Sequence, residues 1–504
     1  MNKLIMLPLV AGAMFWSCGC SMPEENKKDD GKPSEEQTPP VEDKDLAKTW
    51  TTSFDKSYDL KTASLEYGKA ASMSPKIVRF TDETYQTVDG FGLAVTQASC
   101  YNLLKMSADD RTKVLKELFS PTEGAGSSLI RVCIGGSDFS MDEFTCCDTK
   151  GIENFAIHQL DKDYLFPVLD EIYAINPDVQ IIGSPWSCPR WMKMNVDGTG
   201  AYNSWTSGRL NPLYYDDYAT YFVKWIQAME ARGYKIKAVT LQNEPLNHGN
   251  SMSLYMPWQD QRDFLAVIGP AFEKAGITTE IILFDHNYNY DGQGDQYRYP
   301  VQIYGTPAGK YAAGSGWHNY GGSVSELDAI YSAYPDKGIW FTEASIGTWN
   351  YDYNKFGGQF DEDMREIFFG TLKRGGKGVT LWNMMLDVDR KPYRPGGCST
   401  CYGALNIGKS YTYGSVEKYS HWYDVVHCSL VVKPGAVRIG TSGYTAKGVT
   451  YLAFRNPDGS YGVLFLNEGS SEEQFVFAGS ARSVTLSVPA KSVVSLLWTD
   501  KEKS

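Results

Sequence analysis

The ten residues IKAVTLQNEP (236–245) form a short apolar run that ends in polar residues, and this pattern occurs eight times between residues 87 and 386. Helix-like stretches separate most of the runs. Alternation of strands with helices predicts a parallel sheet, and eight such units predict an α/β fold of the (β/α)8 TIM barrel type, with its site at the carboxyl ends of the strands. The other seven runs are TVDGFGLAVT (87–96), SLIRVCIGG (128–136), VQIIGSPW (179–186), EIILFDHN (280–287), GSGWHNY (314–320), GIWFTEAS (338–345) and GVTLWNMML (378–386).

The stretches between the runs have helical patterns. Examples are SADDRTKVLKELF (107–119) and YYDDYATYFVKWIQAMEARG (214–233), the second of which ends in the glycine typical of a helix C-terminus. The alternative fold is a doubly wound open sheet, which usually carries a glycine-rich phosphate loop after its first strand. No such helix-opening loop follows residues 87–96, so the barrel is favoured.

Period-two alternation replaces the helical pattern on both sides of the barrel segment. The residues KIVRF (76–80) precede the barrel, SVTLSVPAKSVVSLLW (483–498) follows it, and Pro457-Asp458-Gly459 marks a hairpin turn. We therefore predict an attached all-β sandwich domain built from both chain ends. Its strands come from residues 49–84 and 431–504, and the barrel occupies residues 85–430.

Residues 1–20 have the pattern of a lipoprotein signal peptide. Lys3 is followed by an apolar stretch that is too short for a stable membrane span. Its end, SCGC (17–20), resembles a bacterial lipoprotein box, in which a cysteine is lipid-modified. Cys20 is the favoured lipidation site because Gly19 precedes it, and Cys18 is the alternative. An ordinary cleaved signal with incidental cysteines also stays open.

The acidic residues 21–48 predict a disordered tether, because they contain no aromatic residue and almost nothing apolar. Acidic residues close to Cys20 resemble an export signal of surface lipoproteins. We therefore expect a protein that contacts the membrane through a lipid anchor only. The expected location is the outer membrane, at the cell surface and facing the exterior, with the periplasmic face as the alternative.

Composition excludes some classes of function. With 48 basic and 60 acidic residues the net charge is −12, which argues against a nucleic-acid partner. Thirteen Trp and 33 Tyr favour a partner with flat sugar rings. The six histidines form no HxH or HExxH pair, so neither a metal nor another cofactor is expected. Cys398 and Cys401 are interpreted as a disulfide or as free thiols, and Cys133 and Cys188 as buried thiols.

Glu244 follows the fourth apolar run and Glu343 ends the seventh. Strands four and seven of an eight-stranded barrel face each other across its mouth, where two carboxylates can flank a glycosidic bond. One can protonate the leaving oxygen while the other forms a glycosyl-enzyme, as in a retaining glycosidase. The alternative is a pair of solvated carboxylates at the barrel rim.

The neighbours of the two glutamates suggest their roles. Asn243 can hydrogen-bond a sugar 2-hydroxyl, and Asn-Glu-Pro resembles the signature of the large clan of retaining barrel glycosidases. Glu244 is then the acid/base and Glu343 the nucleophile. Arg131, in the second run, is placed to keep Glu343 charged, although a purely structural ion pair stays open. The nucleophile must stay ionised while the acid must stay protonated, so the pKa of Glu343 should be the lower of the two and that of Glu244 the higher.

Five motifs together resemble glycoside hydrolase family 30, which includes lysosomal acid β-glucosidase. They are SPWSCPRWMK (184–193), TLQNEP (240–245), GWHNY (316–320), FTEAS (341–345) and LWNMML (381–386). The resemblance covers nearly the whole chain after the tether and implies the same barrel and sandwich. It also implies the two glutamate roles and substrate contacts by Asn243, Asp138, Trp191, Trp382, His318 and Tyr320. Core aromatics and a structural histidine are the alternatives for these side chains.

Two loops depart from the β-glucosidase pattern: residues 246–261 and residues 387–404. They put a lipid aglycone in doubt. Within the family, a glucosidase-like pocket on a surface lipoprotein implies an endo-β-1,6-glucanase that acts on β-1,6-glucan, more than it implies a xylanase. The alternatives are an exo-acting β-glucosidase of the glucosylceramidase type and, from another class, a non-catalytic glycan-binding surface lipoprotein. A monomer is expected.

Overall fold

The computed structural model of the protein describes residues 45–70, 74–288, 294–348 and 356–500. The predicted signal peptide, Cys20 and most of the predicted tether lie outside these residues. The first strand begins at Ala47, two residues inside the range predicted as a tether. Ala47 is fully buried and pairs with Leu65, so it belongs to the sandwich. Within the described residues, no helix has both the length and the apolar character that a membrane span requires.

Four strands precede the barrel, and all of them lie in one large sheet. They are β1 (Ala47–Ser53), β2 (Lys61–Leu65), β3 (Gly68–Lys69) and β4 (Ile77–Thr87).

Eight parallel strands form a closed barrel, and each contains part of one predicted apolar run. Its first five strands, with a short antiparallel pair inserted after the third, are β5 (Gly90–Ala94), β6 (Leu129–Cys133), β7 (Gln180–Ser184), the pair β8 (Lys193–Met194) and β9 (Arg209–Leu210), β10 (Lys235–Thr240) and β11 (Glu280–Asn287).

The last three barrel strands are accompanied by short strands outside the barrel wall. In chain order the strands are β12 (Ala312–His318), β13 (Gly338–Glu343), the short β14 (Ile346–Gly347), β15 (Gly376–Asn383), and the short β16 (Met385–Asp387), β17 (Cys401–Tyr402), β18 (Leu405–Ile407) and β19 (Val416–Lys418). The order around the barrel is β10-β11-β12-β13-β15-β5-β6-β7, which confirms the predicted (β/α)8 fold.

Helices cover the outside of the barrel. They are α1 (Gln97–Leu104), α2 (Ala108–Phe119), α3 (Phe166–Ile175), α4 (Tyr215–Glu230), α5 (Trp258–Ala275), α6 (Tyr299–Tyr304), α7 (Glu326–Ala333), α8 (Phe356–Glu362), α9 (Gly370–Lys373) and α10 (Ser420–Val431). A π-helical segment, Asp363–Phe369, joins α8 to α9, and another, Asp161–Leu165, precedes α3.

The interior of the barrel is filled by side chains. Trp340 on β13 is fully buried there among apolar residues of β6, β7, β10 and β11, and its indole Nε1 donates to Asp89 Oδ2 over 2.9 Å. The close packing leaves no room for a side chain at Gly314, where a Cβ would lie 1.9 Å from the carbonyl oxygen of Gly338. Because the interior is filled, a substrate can bind only at the carboxyl ends of the strands, where the polar residues lie.

The last six strands complete the sandwich. They are β20 (Val437–Gly443), β21 (Val449–Arg455), β22 (Tyr461–Asn467), β23 (Glu473–Ala478), β24 (Arg482–Val488) and β25 (Ser492–Trp498). The sheet order is β2-β1-β25-β22-β21-β20-β4-β23-β24-β3. Strands from both chain ends therefore lie side by side in one sheet, as predicted. Phe465 of β22 packs 5.3 Å from Phe475 of the non-adjacent β23, which shows that the sheet folds over on itself. The predicted hairpin turn at Pro457-Asp458-Gly459 connects β21 to β22.

Candidate active site

Arg131 on β6 is the centre of a buried hydrogen-bond network. Its guanidinium is fully buried and donates through Nη1 to Glu343 Oε2 over 2.5 Å. Through Nη2 it donates to Asn243 Oδ1 over 2.7 Å, to Asp285 Oδ2 over 2.8 Å and to Ser184 Oγ over 3.0 Å. The predicted pair of Arg131 and Glu343 is therefore present, and one cation orients side chains from four different barrel strands or their ends.

Asp285 is a member of this network that the sequence interpretation did not single out. It lies within β11 and is fully buried. Besides Arg131, its carboxylate accepts hydrogen bonds from Thr342 Oγ1 over 2.6 Å and from His318 Nε2 over 3.0 Å. Burial would raise the pKa of Asp285, but the charge of Arg131 and the contact with His318 hold it well below its usual range. Asp285 is therefore a permanent anion that offsets Arg131.

Glu244 lies just past the end of β10, on a backbone that is unusual for a residue other than glycine. Its φ is 45°, and its amide nitrogen donates to the carbonyl oxygen of Asp285 over 2.9 Å. The carboxylate contacts His318 Nδ1 through Oε1 over 3.4 Å and accepts from Asn247 Nδ2 through Oε2 over 2.7 Å. Such a backbone persists only where the surroundings impose it, and it is typical of functional sites.

Glu343 is the last residue of β13 and is held through both carboxylate oxygens. Arg131 contacts Oε2, and the hydroxyl of Tyr320 donates to Oε1 over 3.1 Å. Glu244 is only 8% exposed and Glu343 only 6%, so the two glutamates are not solvated rim residues. The structure thus places Glu244 and Glu343 in one network at the ends of the fourth and seventh barrel strands.

The pKa values of the two glutamates are pushed apart, but in the opposite order to the one predicted. Burial would raise the pKa of Glu244, yet the hydrogen bond with His318 and the charges of His286 and His318 lower it to about 2. Burial raises the pKa of Glu343 against the opposing charges of His318 and Arg131. The reason is His318, whose proton stabilises the anion of Glu244 in the ligand-free protein.

The proton that Glu244 lacks resides on His318. Burial alone would lower the pKa of His318, but the charge of Glu343 and the hydrogen bonds to Asp285 and Glu244 raise it to about 9. His318 is therefore protonated at neutral pH. A shift of one proton along the contact between His318 Nδ1 and Glu244 Oε1 converts this ion pair into a neutral imidazole and a protonated glutamate.

Two tryptophans form an aromatic wall beside the network. Trp382 on β15 stacks against Trp186, with ring centroids 5.1 Å apart, and the Arg131 guanidinium carbon lies 4.9 Å from the Trp186 ring and 5.4 Å from the Trp382 ring. Trp382 was predicted to shape the sugar pocket. Trp186 is the last residue of the third apolar run, but it was not predicted to shape the pocket.

Trp191, which was predicted to shape the same pocket, is not brought to this wall. Its indole Nε1 donates to the carbonyl oxygen of Cys147 over 2.8 Å, and its ring packs edge-on against Tyr214 at 5.1 Å. Four residues separate Trp186 from Trp191, which lies in a short turn, Arg190–Met192. The pocket role of Trp191 stays a prediction, and the structure adds Trp186 to the aromatic wall.

Asp138 is held beside the site by the loop of residues 387–404. Its backbone carbonyl accepts from the Arg394 amide nitrogen over 2.7 Å, and a disulfide joins Cys398 to Cys401 within the loop. A Cβ on Gly397 would lie 2.7 Å from the Asp138 Cβ, so only glycine allows this approach. Burial and then the charge of Glu343 raise the pKa of Asp138 to about 8.

One group of donor atoms in the site has the composition of a cation site. Glu244, His286 and His318 each offer a ligand atom, and these atoms lie within 4.8 Å of one another. A cation bound there would occupy the carboxylate of Glu244 and compete with its proton. Such an ion would therefore inhibit acid/base chemistry at Glu244.

Comparisons with known proteins agree with this geometry. Residues 88–401 match the family model of the glycosyl hydrolase family 30 TIM-barrel domain, and residues 435–496 match that of the family 30 β-sandwich domain. The chain is 32% identical over 434 residues to the endo-1,6-beta-D-glucanase BGN16.3 of Trichoderma harzianum, which covers 81% of this chain and 84% of that protein. It is 26% identical over 436 residues to the lysosomal acid glucosylceramidase of Mus musculus, covering 83% and 82%.

A solved structure gives a further match along the chain. The endo-beta1,6-glucanase BT3312 superposes with a TM-score of 0.86 at 49% sequence identity, which covers 91% of this chain and 100% of that one. The predicted fold is thereby matched in both domains, and the chain is a glycosidase. The five sequence motifs and both family models lead to the same conclusion: the chain belongs to glycosyl hydrolase family 30.

Proposed function

We propose that this glycosidase is a retaining endo-β-1,6-glucanase that acts on β-1,6-glucan. The observation that carries the proposal is the buried network at the barrel mouth. In it Arg131 holds Glu343 at the end of β13, and His318 contacts Glu244 just after β10. Two carboxylates in such an arrangement suit a double displacement at a sugar. The substrate class rests on the 49% identity to the endo-beta1,6-glucanase BT3312.

In the first step Glu343 attacks the anomeric carbon. Arg131 and Tyr320 each hold one oxygen of the Glu343 carboxylate. The carboxylate is therefore already oriented for attack on the sugar and needs little reorganisation. A covalent bond forms between a Glu343 oxygen and the sugar while the bond to the leaving oxygen breaks. The negative charge of Asp285 next to Arg131 fixes the guanidinium in place throughout.

Glu244 acts on the opposite side of the bond. The proton shared with His318 passes to the leaving oxygen, and Glu244 then takes a proton from the water that hydrolyses the glycosyl-enzyme. Asn243 accepts from Arg131 through Oδ1, which turns its Nδ2 away from the guanidinium. In this orientation Nδ2 donates to the sugar 2-hydroxyl, a bond that strengthens in the transition state.

The walls of the site fit a glucosyl unit. The Trp186 and Trp382 rings offer an apolar face, and the Asp138 carboxyl is an acceptor and, when protonated, a donor for hydroxyls. The loop 387–404 forms a rim next to Asp138, where a chain beyond the first sugar would lie. This rim supports action within a polysaccharide.

Product analysis tests the substrate and the mode of action. Purified enzyme is incubated with β-1,6-glucan, β-1,3-glucan, xylan and an aryl β-glucoside. Oligosaccharides released early from β-1,6-glucan are the expected result, and NMR should show that the first product keeps the β-configuration. Glucose as the sole product supports the exo-β-glucosidase alternative, and cleavage of xylan alone overturns the proposal.

Two variants test the catalytic residues. Glu343→Gln and Glu244→Gln should each lower kcat by several orders of magnitude, roughly 10³-fold or more, while keeping Tm close to that of the wild type. Azide should restore activity to Glu244→Gln on an activated aryl glycoside. Glu123→Gln is a matched control, because that carboxylate is 63% exposed and pairs only with surface Lys116. Full activity in either variant overturns the catalytic assignment of that glutamate, and a wild-type enzyme that binds glucan without cleaving it supports the glycan-binding alternative.

We further propose that the protein acts as a monomer, lipid-anchored through Cys20 at the outer surface of the outer membrane. The support is the lipoprotein-like sequence SCGC (17–20) and the acidic stretch that follows it. Mass spectrometry of the mature N-terminus should find acylated Cys20, and Cys20→Ala should release the protein from membranes. Protease treatment of whole cells distinguishes the surface from the periplasmic face.

A further inference from the structure

A second cluster of titratable side chains lies outside the active site, on the outer layer of the barrel. Asp363 begins the π-helical segment after α8, while His421 and Asp424 stand three residues apart in the first turns of α10 and so share one helix face. Their exposures are only 3%, 2% and 0% respectively. One ligand atom from each lies within 4.8 Å of those of the other two.

Asp424 is the unusual member of this cluster. Both of its carboxylate oxygens are buried, and among the described residues neither has a hydrogen-bond partner. Its neighbours in the cluster are a second carboxylate, Asp363, and the imidazole of His421. His421 Nε2 lies 3.4 Å from Asp363 Oδ2. A buried carboxylate without a donor or a cation is costly, so the cluster lacks a positive charge.

We propose that Asp363, His421 and Asp424 bind a divalent transition-metal ion of the Zn²⁺ class. Two carboxylates and one imidazole are a ligand set that suits such ions, whereas Mg²⁺ and Ca²⁺ prefer oxygen ligands alone. Metal–ligand distances of about 2.0–2.2 Å place ligand atoms at most about 4.4 Å apart, so the present spacing requires only a small closure.

The surroundings orient the proposed ligands. Gln359 Nε2 donates to Asp363 Oδ1 over 2.7 Å, and Ser420 Oγ donates to Asp363 Oδ2 over 3.2 Å. Hydrogen bonds of this kind fix the direction of a metal-binding carboxylate. The Gln359 carbonyl oxygen Oε1 is also buried and has no partner among the described residues, which makes it a candidate for the fourth ligand.

The ion would join two parts of the fold. One turn beyond Asp424, His427 of α10 hydrogen-bonds Thr52 of β1 and Ser495 of β25, so α10 is the helix that carries the sandwich contacts. Asp363 belongs instead to the helical segment that follows β13. A metal at the cluster would clamp this segment to α10 and stabilise the enzyme without taking part in the reaction.

Metal titration of the whole enzyme tests the proposal. The protein is stripped with a chelator, dialysed and equilibrated with Zn²⁺ or Co²⁺. Elemental analysis should then find one ion per chain outside the active site, Co²⁺ should give visible absorption bands, and Tm should rise by about 5 °C at a hundredfold excess over Kd. A wild-type enzyme that binds no ion and keeps its Tm overturns the proposal.

Variants separate this site from the donor group around Glu244. Asp424→Asn should lose the bound ion and the rise in Tm while its metal-free form keeps full activity. Inhibition by metal at Glu244 should persist in Asp424→Asn, since the two sites are independent. Glu362→Gln, a neighbouring carboxylate that is not a ligand, is the matched control and should behave as the wild type. Retention of both the ion and the stabilisation in Asp424→Asn contradicts the assignment, and the wild-type Co²⁺ spectrum decides the question if that variant does not fold.

Discussion

At the scale of single residues, Arg131 and Asp285 determine what the glutamates can do. Arg131 could be predicted from its position inside an apolar run, because a buried arginine needs an anion nearby. Asp285 carried a similar signal, an aspartate inside the run EIILFDHN (280–287), but its partners come from other strands far away in sequence. Only the closed barrel brings Thr342, His318 and Asp285 together.

Asp285→Asn tests the anion in this network. The change leaves Arg131 buried with a single carboxylate partner, so the free energy of unfolding should fall by about 3–5 kcal/mol and kcat should fall as well. Urea denaturation followed by tryptophan fluorescence measures the first effect. Asp328→Asn, at a carboxylate that is 61% exposed and pairs with Arg374, should change stability by less than about 1 kcal/mol. Equal stability of Asp285→Asn and the wild type would refute the role given to Asp285.

His318 predicts a pH dependence. Its pKa is raised from 6.5 to about 9, so the folded protein binds the proton more tightly than the unfolded chain. The stability that this contributes is fully present below pH 6.5 and is lost as the pH rises to about 9. Because the same proton serves Glu244, kcat/KM should also decline as the pH approaches about 9.

Rate profiles between pH 5 and 10 check this expectation. His318→Gln removes the titrating group, so the alkaline limb should shift and kcat/KM should fall by about 100-fold or more. The variant keeps the capacity to donate a hydrogen bond to Asp285, which limits structural damage. An unchanged alkaline limb in His318→Gln would show that the proton is stored elsewhere.

At the scale of elements, the eight barrel strands were predictable because each is a continuous apolar run between turn signals. A parallel strand that is buried on both faces requires such a continuous apolar run. The two-residue pairs β8–β9 and β14–β17 were not predicted, since pieces this short carry no period.

The loop 387–404 is the element that we expect to control substrate binding. Its disulfide and its contacts with Asp138 predict that Cys398→Ser/Cys401→Ser raises KM several-fold, while kcat changes by less than about two-fold because the glutamates are untouched. Steady-state kinetics on β-1,6-glucan measure both values. Wild-type enzyme treated with a reductant should reproduce the effect, and an unchanged KM in both cases would exclude this role.

At the scale of the whole molecule, part of the sandwich packs into the hydrophobic core of the barrel, while the sandwich also has a separate buried cluster of its own. Leu464, Leu466 and Val493 of the sandwich strands belong to the same buried cluster as residues of the barrel and its helices. The discontinuous sandwich was predictable from alternation at both chain ends, whereas this shared cluster was not. Period-two patterns identify which face of a strand is buried but not which neighbour buries it.

His427 on α10 tests the connection between the two domains. Its Nδ1 donates to Ser495 Oγ over 2.8 Å and its Nε2 accepts from Thr52 Oγ1 over 2.8 Å. Burial lowers the pKa of His427 to about 3, so the ring is neutral and both bonds are satisfied. His427→Ala removes both side-chain hydrogen bonds and opens a cavity, which should cost about 3 kcal/mol.

Calorimetry measures this effect. The wild type and His427→Ala should each unfold in a single transition, since the cluster that contains Leu464, Leu466 and Val493 couples the two domains. Thr52→Val, which removes only one of the two bonds, should lower Tm by less. A His427→Ala profile with two separated transitions would contradict the single cooperative unit.

The pairing of β1 with β25 has a topological consequence. Lys48 lies directly opposite Leu497, so the two ends of the described chain are neighbours in one sheet. A short linker between them would close the polypeptide into a ring, which the exposed hairpin at Asp458 could reopen without cutting the barrel. The linear order of this enzyme is thus one of several that its architecture permits, and a circular permutant should regain the same active site.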